Sequence, residues 1–330
     1  MSSFRHDSSA DGLDKIRLQN RHVEVTVVPA AGGKIIELID RRNGRNWLWS
    51  NPHIPIARAS RGADFNREQD SGGWDEILLS MKPGKIRSAS DHFQAIPDHG
   101  DLIGCEWSIE ELLVTPAGDV TCDMIAIGTS APYRFKRQIR LAHDEPVVHM
   151  NYSLTNEGDE SLPCYWCAHP LLAVEPDTRI EIQGHLPLRV DDAPTRKHAA
   201  ADSEQLWPKL MLQNGKSMDL SRSFAADGAQ RTFASKIFVR SPETGVARVV
   251  LGENGARLTL RFDPVELPWL GIWINNHAWS GCGSEPYTNL GLEPATTPYD
   301  SVNEAIENDA VPWLPPGEHR NWSLSVELQA

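Results

Sequence analysis

Positive charge is the scarcer sign in this chain. Of its 330 residues, 32 are Lys or Arg and 45 are Asp or Glu, a net charge of −13. A surface that acidic does not suit nucleic acid or an anionic membrane, both of which call for a basic face. Long apolar runs are missing too, and nothing approaches the roughly 20 residues that span a bilayer. Cysteine is sparse. The 5 present are an odd number and too few for a disulfide framework at this length. Cys164 and Cys167 have the C-x-x-C spacing, but Cys164-Tyr165-Trp166-Cys167 is aromatic and reads as extended, with no second pair nearby. That setting argues against redox or zinc chemistry and for reduced thiols in a cytoplasmic protein. Also absent are a G-x-x-x-x-G-K-[ST] loop, a G-x-G-x-x-G turn opening a helix and a G-x-S-x-G elbow. Nucleotide cradles and serine-hydrolase elbows are therefore excluded.

Helical signals are few as well. Ser301 to Asn308 looks like a short acidic helix, and Ser203 to Met211 has room for a turn. What fills the chain instead is short β-rich runs. These are Val23–Val28, Lys34–Ile39, Ile109–Val114, Phe135–Leu141, Val147–Leu154, Arg179–Ile182, Lys236–Arg240, Ala247–Leu251, Arg257–Phe262, Trp269–Asn275 and Trp322–Leu328. Several alternate apolar with polar residues, as half-buried strands do. Asn43-Gly44, Thr244-Gly245 and Asn254-Gly255 read as hairpin turns between them. Many strands and little helix predict an all-β sandwich or barrel. No fixed-period repeat points to a propeller or solenoid. Residues 1–14 are polar and read as a disordered lead-in rather than a secretory signal. Residues 15–330 read as one domain, and Asp191 to Ala229 as a long surface excursion.

Three residues stand out for chemistry. Glu293 lies in Leu290-Gly291-Leu292-Glu293-Pro294, where an unpaired carboxylate in an apolar setting is costly unless it is used. His169 lies in Ala168-His169-Pro170, where proline ends any central ladder and the chain leaves the sheet. His99 lies in Asp98-His99-Gly100-Asp101, with a glycine that lets a ligand approach and two aspartates that can orient the ring. One acid and two imidazoles can move protons at neutral pH. Each also has a plain alternative: a turn carboxylate, a hydrogen-bonded core histidine and a surface-loop histidine. Ser71-Gly72-Gly73-Trp74-Asp75-Glu76 suits a loop lining a sugar site, with an aromatic for the C–H faces and acids for the hydroxyls, or a plain glycine turn over a buried Trp74. Trp166 and Trp273 read either as sugar platforms or as core.

In order along the chain, these segments resemble the aldose 1-epimerase, or galactose mutarotase-like, family. The resemblance rests on Gly32-Gly33-Lys34-Ile35, Asn43 to Trp49, Gly72-Gly73-Trp74-Asp75-Glu76, Pro97 to Leu102 with Trp107, Ala168-His169-Pro170-Leu171-Leu172, Leu290 to Pro294, and Leu314 to Glu318. It spans nearly the whole chain and implies a β-supersandwich with few short helices and a sugar in an open cleft. It also implies an isomerase that interconverts the anomers of an aldose or aldose derivative, with no metal and no cofactor. Glu293 would be the base, His169 the acid on the ring oxygen, and His99 a ligand of the ring or anomeric oxygens. Arg67, Trp74, Asp75, Glu76, Asp98, Trp166 and Trp273 are the expected substrate-binding set. The family's binding aspartate between the second histidine and the glutamate has no matching motif, and the interval offers only Asp202, Asp219 and Asp227. Arg67, Lys82, Lys85 and Arg87 read as solvated charges or as a positive rim for a phosphorylated sugar. The expected partner is a small-molecule sugar, with no nucleic acid and no membrane, and the protein a monomer or homodimer. Two other functions stay open: a sugar-binding protein without turnover, and a glycoside hydrolase or lyase pairing Glu293 with Asp75 or Glu76.

Overall fold

The computed structural model describes every residue except 1, 11, 88–92, 193–194, 196–198, 201–204, 226–231, 253–254 and 330. Among the described residues, the strands form an 11-stranded and an 8-stranded sheet with three two-stranded ribbons. The path of the large sheet runs Ser3–Asp7, Lys15–Gln19, Val23–Val28, Lys34–Asp40, Trp74–Leu78, Trp166–Leu172, Tyr287–Ala295, Trp269–Trp279, Phe233–Arg240, Leu188–Val190. The smaller sheet runs Arg179–Ile182, Val246–Val250, Arg257–Phe262, His319–Gln329, Val147–Asn156, Tyr133–Leu141, Val120–Ile127, Ser108–Val114. The all-β sandwich expected from the turn-punctuated alternation is the observed architecture.

Period-two patterning explains how the sheets meet. In Tyr133–Leu141 the buried residues alternate strictly with half-buried ones, so Tyr133, Phe135, Arg137, Ile139 and Leu141 face the large sheet. Three central strands of the large sheet, at Trp74, Trp166 and Tyr287, are covered on both faces. One face meets the smaller sheet through an aromatic cluster, with Trp166 4.9 Å from Tyr152 and 5.0 Å from Trp322 between ring centroids. Tilted ring pairs of this kind add about 0.5–1.5 kcal/mol each beyond burial. The other face carries a row of buried polar side chains, among them Asp75, His169 and Glu293.

Paired glycines bring the Trp74 strand into the sheet. Gly72 and Gly73 have φ of +79° and +82°, and a Cβ would stand 2.2 Å from the Trp49 carbonyl oxygen at Gly72 and 2.6 Å from that of Ile35 at Gly73. A side chain at either place would push the strand off its neighbour.

Some expectations change. Ser3–Asp7, expected in a disordered lead-in, pairs with Lys15–Gln19 as an edge strand. Thr244-Gly245 is not a hairpin turn, because the strands on either side of it belong to different sheets. Gly245 has φ +60° and a Cβ there would meet the Phe262 carbonyl oxygen at 1.9 Å, so glycine serves a crossing between layers. The Ser301 region forms the helix Val302–Glu307, with the Ser301 side chain accepting from the Glu304 amide at its start. Of Ser203 to Met211, residues 203–204 lie outside the described residues, a turn at Trp207-Pro208 is closed by the Lys209 amide on the Leu206 carbonyl at 2.8 Å, and Lys209–Met211 is a short strand. Asn254 also lies outside them. No helix among the described residues is long and apolar enough to cross a membrane.

Candidate active site

Register decides which side chains share the cleft. Asp75 is directly opposite His169. The pairs Cys167↔Ala295 and Leu171↔Gly291 put Glu293 opposite His169 on its other side. Directly paired residues project to the same face, so Asp75, His169 and Glu293 form a row across three adjacent strands. One strand further, Glu293 pairs with Gly271, and Trp273 pairs with Lys236 on the strand after that. Alternation then gives the cleft Lys236 and Trp273 and gives the interior Ile237 and Ile272.

His99 reaches the row from a loop. Its φ is +57°, which aims the side chain back over the sheet, and Gly100 follows at +76°. The ring stacks on Phe65, 3.4 Å between centroids, and lies 5.5 Å from the His169 ring in an edge arrangement. Asp98 hydrogen-bonds its Nδ1 at 3.0 Å. The second expected partner, Asp101, is turned away. Its carboxylate accepts from Thr129, Ser130 and Tyr133 and fastens the loop to the smaller sheet. Phe65 opens the π-helical turn Phe65–Gln69, capped by Asp64, and closes over both imidazoles.

Cations absent from the expected site complete it. Lys34 donates to Asp75 at 2.5 Å and to the Gly72 carbonyl at 2.9 Å. Lys236 donates to Glu293 Oε2 and lies 3.9 Å from Asp300. Asp300 is itself pinned by its backbone carbonyl, which accepts from the Met81 and Lys82 amides at 2.9 Å each. Glycines surround the Glu293 carboxylate. A Cβ on Gly291 would stand 2.6 Å from its Oε1, and one on Gly271 3.3 Å from its Cβ. Tyr287 donates to Asp70 at 3.1 Å and stacks on Trp49 at 4.6 Å. Trp273 donates to Asn289 at 3.1 Å and meets exposed Trp279 edge-on.

Burial sets the electrostatics. It drives the His169 imidazole well below its ordinary range, and the nearby charges of His99, Lys236 and Lys34 push the same way. At neutral pH His169 is therefore neutral, not the ready proton donor that the resemblance implies. Burial pushes Asp300 up to about 7, opposed by Lys236 and reinforced by Asp191 and Glu293. It pushes Asp70 up to about 6 against the Tyr287 hydrogen bond. Burial alone would lower the Lys236 ammonium, but Glu293, Asp300 and Cys167 hold it above its usual value.

Several expected residues are elsewhere. Glu76 faces the interior, where its Oε1 accepts from Arg137 at 3.2 Å and from Tyr152 at 3.0 Å. Trp74 and Trp166 point the same way and are core. The Arg67 side chain is 71% exposed and pairs with Asp64 3.3 Å away, clear of the cleft. Lys82 is tied to Asp191 at 2.7 Å. Asp202, Asp227 and the Arg87 side chain lie outside the described residues. Asp219 caps the turn at Leu220. In the interval where an aspartate was sought, the residue on Glu293 is Lys236. Its setting, Ala234-Ser235-Lys236-Ile237-Phe238, reads as an ordinary strand with a solvated lysine, and only the pairing with Trp273 reveals the cleft.

No family model matches the chain, and no curated protein matches it either. Solved structures do. A galactose mutarotase-like protein from Clostridium acetobutylicum superposes with a TM-score of 0.69 at 14% identity, covering 99% of this chain and 98% of that one. A galactose mutarotase related enzyme from Lactobacillus acidophilus gives 0.65 at 12%, covering 96% and 97%. A galactose mutarotase-like protein from Lactobacillus casei gives 0.63 at 14%, covering 96% and 100%. The chain therefore has the galactose mutarotase-like fold.

Proposed function

We propose that the protein interconverts the anomers of an aldose or aldose derivative by acid/base ring opening. One observation carries this reading. Glu293 Oε1, His169 Nδ1 and Asp75 Oδ1, on three neighbouring strands, are buried without a hydrogen-bond partner among the described residues. Each such atom costs about 1–3 kcal/mol if left unmade. A polyol offers hydroxyl donors at that spacing, and the cleft aromatics Trp273 and Trp279 suit its C–H faces. Glu293 is the base that takes the anomeric proton. His169 and His99 hold the ring and hydroxyl oxygens beside it. The shared fold supports the reading, while the identities of 12–14% leave the chemistry to the site.

The hydrolase reading loses one of its two candidate second acids and finds the other paired to a cation. Glu76 faces the interior and Asp75 is ion-paired to Lys34. A sugar-binding protein without turnover draws support from the Lys236 ammonium on Glu293, which ties down one oxygen of the base. Exchange NMR of α and β anomers over a panel of free and phosphorylated aldoses separates these readings. The expected result is wild-type exchange faster than buffer, lost by about 10²–10⁴-fold in Glu293→Gln, in a variant that is still folded. Calorimetric sugar binding with exchange at the buffer rate on every sugar supports the binding protein instead.

A further inference from the structure

We infer that Lys236 is the general acid of the ring opening, delivering its proton to the ring oxygen while Glu293 takes the anomeric proton. This rests on the anomer-exchange reading of the same site. The geometry comes first. The Lys236 ammonium is buried and donates directly to Glu293 Oε2, so it lies beside the carboxylate that meets O1. O1 and the ring oxygen are bonded to one carbon, so a donor touching the base at O1 is within reach of the ring oxygen. Asp300 lies 3.9 Å from the same ammonium through an Oδ1 that has no hydrogen-bond partner among the described residues.

The step balances. The O1–H bond breaks and its proton goes to Glu293. The electron pair left on O1 forms the C1=O1 bond. The bond from C1 to the ring oxygen breaks with its pair on that oxygen, which takes a proton from Lys236. The products are the open-chain aldehyde, a neutral carboxyl and a neutral amine. Rotation about C1–C2 and the reverse transfers close the ring on the other face. Net charge is constant throughout, which a buried site favours.

Timing follows from the ion pair. The ammonium is held above its ordinary pKa because the Glu293 charge stabilises it. As Glu293 becomes protonated that charge, the largest counterweight to desolvation, vanishes, Asp300 and Cys167 are left to oppose desolvation, and the Lys236 proton loosens. His169 is a weak rival, since burial and the neighbouring cations keep it neutral.

Lys236→Arg is the discriminating variant. Arginine keeps the charge and can pair with Glu293 but does not release a proton in proteins. The expected result is a kcat loss of about 10²–10⁴-fold, a nearly constant KM, and a smaller kcat loss in His169→Asn. Near-wild-type kcat in Lys236→Arg overturns the inference, because charge alone then suffices. Should melting show that arginine does not fit, Lys236→Met decides by its pH profile. The groups facing the side chain are Glu293, Cys167, Asp300 and, across the row, His169. If lysine merely keeps Glu293 ionised, activity returns as pH rises and the inference fails. If lysine is the acid, activity stays low at every pH. Wild-type exchange no faster than buffer on every sugar overturns the proposed function and this inference together, whereas an active Lys236→Arg removes this inference alone.

Discussion

Two buried carboxylate–cation pairs sit on opposite faces of the large sheet. Glu76 meets Arg137 on the interior face, and Glu293 meets Lys236 on the cleft face. The chemistry is similar and the surroundings differ. Arg137 lies over the Trp107 ring at 4.7 Å, also donates to the Gly33 carbonyl, and is enclosed by residues of both sheets. Glu76 is held by two donors on one oxygen and walled by Trp166 and Tyr152. Glu293 has glycines on its own strand and the next, and a histidine opposite. One pair joins the sheets. The other is bordered by small residues and leaves one carboxylate oxygen without a hydrogen-bond partner among the described residues. Burial alone does not separate the two, since all four side chains are nearly inaccessible. What separates them is the size of their neighbours.

The largest expected effect belongs to the interior pair. Arg137→Met leaves Glu76 without its cation in the core, and losing one partner of a buried pair costs about 3–5 kcal/mol. Burial already pushes Glu76 up to about 7, so it can neutralise and hold the loss toward the lower end. The measurement is the urea-unfolding free energy. Unchanged stability would erase the distinction between a pair that joins sheets and a pair that works in a cleft.

The next effect is on activity. In Gly291→Ala the new Cβ points at Glu293 Oε1, 2.6 Å away, and at the Trp273 Cβ, 3.1 Å away. The carboxylate end must shift, which strains its pair with Lys236 and takes it from its place opposite His169. Misplacing a reacting group by about 1 Å costs on the order of 10²-fold in rate. Anomer exchange should fall by that much in a variant that is still folded. A variant with full activity would mean that the glycines shape the strand and not the base.

Much of this arrangement was legible in the residues themselves. Val23–Val28, Arg179–Ile182 and Arg257–Phe262 are observed with the boundaries their alternation predicts. His99 stands at a glycine turn as its motif predicts, but the proline after His169 does not end its strand: Trp166–Leu172 runs on through Pro170, which pairs with Trp74, and Pro294 likewise lies inside Tyr287–Ala295. Asp75 and Glu76 are neighbours on one strand, so period two alone assigns them to opposite faces, but which of them faces the cleft depends on the pairing with His169. Lys236 carries no such mark. A lysine in an alternating strand looks solvated until a second strand covers it. Ser3–Asp7 is hidden for the opposite reason: SFRHD has no apolar face, and its strand rests on backbone pairing at an edge.

The smallest effect concerns Asp300, which belongs to the cleft pair through Lys236. Asp191, Glu293, Lys82 and Lys236 all act on its carboxyl. Burial raises it to about 7 in the fold, from an ordinary value of 3.8. A carboxyl raised on folding holds its proton better in the native chain than in the unfolded one. Its stabilising contribution is complete below the ordinary value and is lost as pH rises through about 7. Asparagine has no proton to lose, so Asp300→Asn should give up less melting temperature than wild type between about pH 5 and about pH 8. Glu76 and Asp70 carry raised values of the same sign, so the wild-type slope persists in part. Equal slopes in the two proteins would mean that Lys236 already keeps Asp300 ionised, and the ammonium would then be shared between two carboxylates rather than committed to Glu293.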